Sequence, residues 1–215
     1  NAIIGMRSFG TKAEDVGRHV AAAVSGIRGG GVFSTLKHFP GHGDTFIDSH
    51  RDLPTVSRSE EKVRSIDLVP FAEGIKSGAE LVMTSHICFD SLDAQKPATF
   101  SSLILQTILR EEMGFQGVII SDSMNMHSLQ KHYDPIDASV EALCAGVDLI
   151  MLAEEHYDHD EAYQKRQRKL IEGVKDAILQ GKIPPVRIQD AFSRVRGLRQ
   201  KIFSKPNKEL KLKDW

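Results

Sequence analysis

Residues 37–50 read KHFPGHGDTFIDSH, so three histidines, two aspartates and one lysine fall within fourteen residues. Pro40, Gly41 and Gly43 force an irregular loop directly after an apolar run. So many ionisable groups rarely gather in a core without a task. A solvated, histidine-rich loop is the plain alternative. Two chemistries compete for the segment. One is metal binding, with His38 and His42 four apart and Asp48 and His50 to complete a set. Pro40 and the two glycines keep His38 and His42 off a common helix face, unlike an HExxH site. The other is proton transfer. One residue separates Asp48 from His50, so a turn can bring carboxylate against imidazole. That pairing fixes the tautomer and raises the basicity of His50 near neutral pH.

A second cluster, SDSMNM at residues 121–126, places Asp122 immediately after an apolar VIIS run. A carboxylate at a strand exit is a ligand, a paired ion or a nucleophile. It is equally readable as an N-cap for a helix starting near Ser123.

These groups need elements to position them. Near-continuous apolar runs at 32–39, 80–87, 117–121 and 147–152 predict strands covered on both faces. Helical spacing predicts helices over 13–27, 59–76 (with a break at Pro70), 101–113, 136–145, 161–179 and 187–203. Gly114 and Gly146 stand where helices should end. Strand and helix alternating four times imply a parallel sheet with right-handed crossovers. Lys37 with His38, His86, Asp122 and Glu154 all fall at the C-terminal ends of their strands. That loading matches the active face of a (β/α)8 barrel better than the single switch point of an open sheet. A barrel takes about 250 residues. The 215 residues here hold four clear βα units, half of what closure needs. Residues 2–5 (AIIG) are either a strand end or a bare connection. The expected fold class is therefore α/β, the C-terminal half of such a barrel. Its other half comes from an N-terminal segment or from a second copy. The opening on Asn1, without methionine or a signal-like stretch, leads us to expect residues upstream.

The composition narrows the partners. The chain is 40% hydrophobic and 27% charged, which excludes a disordered chain. A formal net charge of -1 gives no basic field for nucleic acid. No apolar run approaches the roughly 18 residues of a membrane span. Cys88 and Cys144 sit in apolar contexts and read as two reduced core thiols. They leave the compartment, cytoplasmic or exported, open.

Residues 37–50, together with IGMRSFG at 4–10 and SDSMNM at 121–126, resemble the signature of family 3 glycoside hydrolases, in their β-N-acetylglucosaminidase branch. The similarity runs from Asn1 to about residue 203. It leaves 204–215 as a Lys-rich tail. The resemblance implies strands five to eight of a (β/α)8 TIM barrel, without the first four strands and the sugar-binding aspartate they carry. It also implies a retaining exo-β-N-acetylglucosaminidase acting on terminal N-acetylglucosamine of peptidoglycan fragments, with no cofactor and no metal. By the same resemblance Asp122 is the nucleophile, His50 the acid/base and Asp48 its partner. Arg7, Lys37 and His38 bind the sugar. Asp44 receives no role, and SDSMNM departs from the commoner SDD form while keeping Asp122. An imidazole in place of a second carboxylic acid avoids two anions competing for one proton. It also repels phosphate less, so water or phosphate can serve as acceptor. A β-glucosidase or phosphorylase of the same family, or an inactive sugar-binding half-barrel, are the other readings. His86 faces the sugar or is buried structure. Met124 and Met126 contact sugar or pack. Residues 154–160 read as a solvated loop.

Overall fold

The four long apolar runs become four parallel strands: β1 (Thr35–Phe39), β3 (Leu81–Thr84), β6 (Val118–Ser123) and β7 (Leu149–Met151), in the order β1-β3-β6-β7. The computed structural model describes residues 4–43, 45, 53–153 and 161–204, with residues 203 and 204 described by backbone alone. Adjacent strands are in register at Leu36 with Val82 and Val82 with Ile119. That row is buried, at 7%, 0% and 0% exposure. The alternate row holds Met83, Ile120 and Leu149, paired in the same way. It stays partly open, with Leu149 at 37%. One face of the sheet is thus packed and the other is not, because side chains alternate across a strand.

Helices cover the packed face. α1 (Ala13–Gly29) and α3 (Val69–Lys76) lie against one another, and α3 against β1. Gly74 on α3 leaves room for the Leu36 and Val20 side chains, which come within 3.0 Å of where a Cβ would stand. The expected helix over 59–76 is broken into a short α2 (Glu60–Lys62), a π-helical turn at Val63–Asp67 and α3, with Pro70 in the first turn of α3. Proline lacks the N–H that a continuing helix needs, so the break falls just before it. The helix expected over 101–113 is π-helical from Leu103 to Glu112; the Ser101 hydroxyl accepts the Ile104 N–H at 3.2 Å. After β6 come α4 (His127–Gln130) and α5 (Pro135–Ala145). The Asp134 carboxylate caps α5 by accepting from Ile136 N–H at 2.8 Å. α6 (Glu161–Leu179) and α7 (Pro185–Ser204) follow β7.

A second, small sheet has no counterpart in the sequence reading. β2 (Thr55–Val56) pairs in parallel with β4 (Cys88–Phe89), which pairs antiparallel with β5 (Asp93–Pro97). The Ser57 hydroxyl donates to Asp90 at 2.6 Å beside it. Ile4 leads into a 3-10 turn at Gly5–Arg7, so the described part of residues 2–5 is not a strand. The cysteines are not core thiols: Cys88 is half-buried and Cys144 exposed, both free.

An ion cluster closes the N-terminal end of the sheet. The Asp148 side chain, 0% exposed, accepts from Arg110 at 2.6 Å, from Arg194 at 3.2 Å and from Arg187. It also accepts the Ile119 N–H at 3.0 Å. Arg110 donates onward to the Phe115 and Gly117 carbonyls at 2.8 and 2.7 Å. Burial, opposed by Asp148, pulls its guanidinium down to about 10. Charges buried this deeply require such dense pairing.

Candidate active site

The C-terminal strand ends carry the chemistry. Lys37 is exposed on β1 and alternates with the buried Leu36, so it projects from the open face. Asp122 follows Ile120 by two residues on β6 and points the same way. Asp122 caps no helix. The N-cap of α4 is Met126, with no side-chain bond, and the Asp122 Oδ1 instead accepts the N–H of Ser123 at 2.8 Å. Its Oδ2 faces His38, with Nε2 at 3.7 Å. That is an electrostatic contact, too long for a hydrogen bond. Burial is the main force on the His38 imidazole and lowers its pKa to about 4. The Asp122 charge works against burial, while Lys37, His42 and Arg7 work with it. His38 is therefore neutral around pH 7.

Several bonds hold this end of β1. The Phe39 carbonyl accepts both the N–H and the hydroxyl of Ser85, each at 2.9 Å. The Lys37–His38 and Phe39–Pro40 peptide bonds are cis. Gly41, at φ +152°, lies against Asp67, whose Cβ is 3.1 Å from where a side chain on Gly41 would begin. Arg58 Nη1 donates to both Asp67 oxygens at 3.1 Å. The His42 ring stacks edge-on against His38 at 5.5 Å, and its Nδ1 meets the Thr45 hydroxyl at 3.0 Å. A cleft of about 680 Å³ opens here, lined among others by Arg7, Lys37, His38, His42, Arg58 and Asp67. Asp122 adjoins it through His38 without lining it. A larger groove of about 1070 Å³ runs past Arg28, Glu80, Gly117 and Arg194 at the other end of the strands, away from these groups.

Arg7, Lys37, His38 and Asp122 thus belong to one neighbourhood. Asp48 and His50 lie outside the described residues, as do Asp44 and the stretch 154–160 with Glu154. Among the described residues no three His, Cys, Asp or Glu side chains form a metal cluster. Met124 is 1% exposed and packs in the core. His86 does not face the cleft. It is 2% exposed, with Nδ1 on Thr99 Oγ1 at 2.9 Å and Nε2 on the Ser123 carbonyl at 3.0 Å. Asp67, Arg58 and Thr99 escaped the sequence reading, since their roles arise from chain segments that meet only in the fold.

The glycosyl hydrolase family 3 N-terminal domain model matches residues 1–198. The chain belongs to that family. Among the curated relatives, this family 3 chain is 35% identical over 214 residues to β-hexosaminidase A of Pseudoalteromonas piscicida, covering 94% of this chain and 36% of that one. It is 40% identical over 150 residues to a β-hexosaminidase of Psychromonas ingrahamii, covering 69% and 44%. Of the solved structures, the family 3 β-N-acetylglucosaminidase from Paenibacillus sp. str. FPU-7 superposes with TM-score 0.88 at 36% identity, over 99% of this chain and 39% of that one. The β-N-acetylglucosaminidase from Thermotoga maritima gives 0.81 at 28% identity, over 95% and 42%. The family 3 chain spans less than half the length of each of these relatives.

Proposed function

We propose that this chain supplies the C-terminal half, strands five to eight, of the (β/α)8 barrel of a retaining exo-β-N-acetylglucosaminidase. The enzyme removes terminal N-acetylglucosamine, with cell-wall fragments as the substrate class that the resemblance implies. The names of the relatives support the sugar. The single observation that carries the reading is the placement of Asp122. It sits at the C-terminal end of β6 on the open face, one oxygen held by the Ser123 N–H and the other turned toward His38 of the KH pair. Four parallel strands with one face uncovered support the half-barrel, since the missing strands would complete the inner layers. A partner segment, either N-terminal or from a second copy, fills that role. Residues 1–203 form the catalytic half and 204–215 the tail.

The mechanism follows from the positions. Asp122 attacks the anomeric carbon and forms a covalent glycosyl ester as the bond to the leaving oxygen breaks. His50, paired with Asp48, gives that oxygen its proton and then takes one from the incoming water, which frees the sugar with retained configuration. Lys37, Arg7 and the neutral His38 bind sugar hydroxyls, and no cofactor is required. A neutral His38 can donate to a hydroxyl without neutralising the nucleophile by ion pairing.

The test is turnover of an aryl N-acetyl-β-glucosaminide by the full-length protein. Asp122→Asn should lower kcat by about 10⁴-fold. A 5-fluoro glycosyl fluoride should attach one sugar to Asp122, read by peptide mass. An Asp122→Asn variant that keeps its rate, or a label on another residue, refutes the assignment. Phosphate in the assay shows whether a sugar phosphate forms in place of free sugar.

A further inference from the structure

His86 is a buried titratable group that the mechanism above does not use. Thr84, Ser85, His86 and Thr99 are 0%, 1%, 2% and 0% exposed. The donors and acceptors among them can be counted. The Ser85 carbonyl receives the Thr99 N–H at 3.2 Å. The single Thr99 hydroxyl proton has two acceptors in reach, that same carbonyl at 2.9 Å and His86 Nδ1 at 2.9 Å, while its oxygen accepts from Thr84 Oγ1 at 2.8 Å. The Ser123 carbonyl facing Nε2 can only accept, so the neutral imidazole carries its proton on Nε2 and Nδ1 takes the Thr99 proton, the Ser85 carbonyl keeping the Thr99 N–H. The Nε2 proton points at the Ser123 carbonyl, 3.0 Å away. Burial, opposed by the Asp122 charge and the Ser123 bond, pushes the His86 pKa down and keeps the ring in this form.

Ser123 is pinned on every side. Its hydroxyl donates to the Ala153 carbonyl at 2.7 Å and accepts the N–H groups of Ala153 and Asn125 at 3.1 and 3.3 Å. The next N–H, of Met124, is bound to the Met151 carbonyl at 3.0 Å, and the Ser123 carbonyl accepts the Met126 N–H at 3.2 Å beside its contact with His86. What remains is the Ser123 N–H, and it holds Asp122 Oδ1. We propose that His86 is a positioning residue: by gripping the Ser123 carbonyl it sets the Ser123 N–H that clamps Asp122 Oδ1, so that Oδ2 is the attacking oxygen. This rests on Asp122 being the nucleophile. The serine matters to the device. An aspartate here, as in the commoner SDD form, would set a carboxylate oxygen against the Ala153 carbonyl with no proton between them.

Two variants of the full-length protein, His86→Ala and His86→Gln, test it. Gln returns an N–H at about the reach of Nε2. Alanine should lower kcat on an aryl N-acetyl-β-glucosaminide by about 10- to 100-fold with KM nearly unchanged, because a small misplacement of a reacting group costs that much. Glutamine should recover most of it. Equal loss in both variants, or a loss carried by KM, overturns the proposal. The amide proton of Ser123 gives a readout independent of turnover. It should resonate downfield in the wild type, move upfield in His86→Ala and return in His86→Gln. An unmoved signal overturns the proposal even where the protein turns over no substrate, an outcome that would instead sink the glycosidase reading. Should His86→Ala fail to fold, nitrogen shifts of the wild-type imidazole decide. The Nε2–H tautomer is expected, and a ring protonated on Nδ1 alone refutes the clamp.

Discussion

His38 stands beside a carboxylate and yet resists protonation, because losing water costs its charged form more than Asp122 returns. This ties stability to pH. With a folded pKa of about 4 against 6.5 when unfolded, only the unfolded chain gains a proton as pH falls through that window. Stability therefore declines from about pH 6.5 toward 4 and levels off below, by up to about 3 kcal/mol at 1.36 kcal/mol per unit. Urea unfolding at pH 7 and pH 4.5 should show a steeper acid loss in the wild type than in His38→Gln, and equal slopes would count against the burial argument. At this scale the sequence was partly legible. Density of ionisable groups marked Lys37 and His38, and a strand-end position marked Asp122. The same position marked His86 but left its direction open, since whether an imidazole faces a cleft or a neighbouring backbone depends on residues such as Thr99 and Ser123. Asp148 is the one polar residue of the apolar run 147–152, with nothing in the sequence to mark its partners. Its three arginines come from two helices far apart in the chain, Arg110 from the π-helical stretch and Arg187 and Arg194 from α7, a convergence that spacing does not encode.

The strands were legible because buried strands read as near-unbroken apolar runs, and four such runs overlap the four strands found, β6 running two residues further to Ser123; the expected cover on both faces is present on one only. The small sheet was not, since strands of two residues such as β2 and β4 carry no periodicity. Helix breaks were half legible: Pro70 announced one, but nothing announced the π-helical turn before it. The pairing of β3 with β6 rests on a glycine at their entrance. A Cβ on Gly117 would lie 2.3 Å from the Glu80 carbonyl, the same carbonyl that accepts the Val118 N–H at 3.0 Å. Backbone on both sides cannot yield as a flexible side chain would. Gly117→Ala should destabilise by about 1–3 kcal/mol, measured by urea unfolding. It should also disturb Asp122 further along β6, seen as a shift of the Ser123 amide proton. A neutral outcome would mean the strands part more easily than this contact implies.

For the molecule as a whole, the count of βα units foretold an α/β chain with a parallel sheet, as β1, β3, β6 and β7 form. What covers the open face could not be foretold, since an apolar row looks the same whichever partner it meets. Met83, Ile120, Leu149 and Met151 line that face, partly exposed. The residues 1–215 alone should therefore bind a dye such as ANS and self-associate, by the usual behaviour of large exposed apolar patches. Joined to a complementary half-barrel, they should do neither. Gel filtration and dye fluorescence of the two forms decide this, and a dye-silent monomer of the 215 residues alone would contradict the half-barrel.

The stretch from Gly43 to Leu53 departs from one fixed post and returns to another. Gly41 is seated on Asp67 and its arginine at the first, and β2 is stitched to β4 at the second. Both posts belong to the framework, and neither lies on β6 with Asp122. Under the proposed mechanism, substitutions among residues 44–52 should therefore change which leaving groups are protonated, while the strand that bears Asp122 keeps its place.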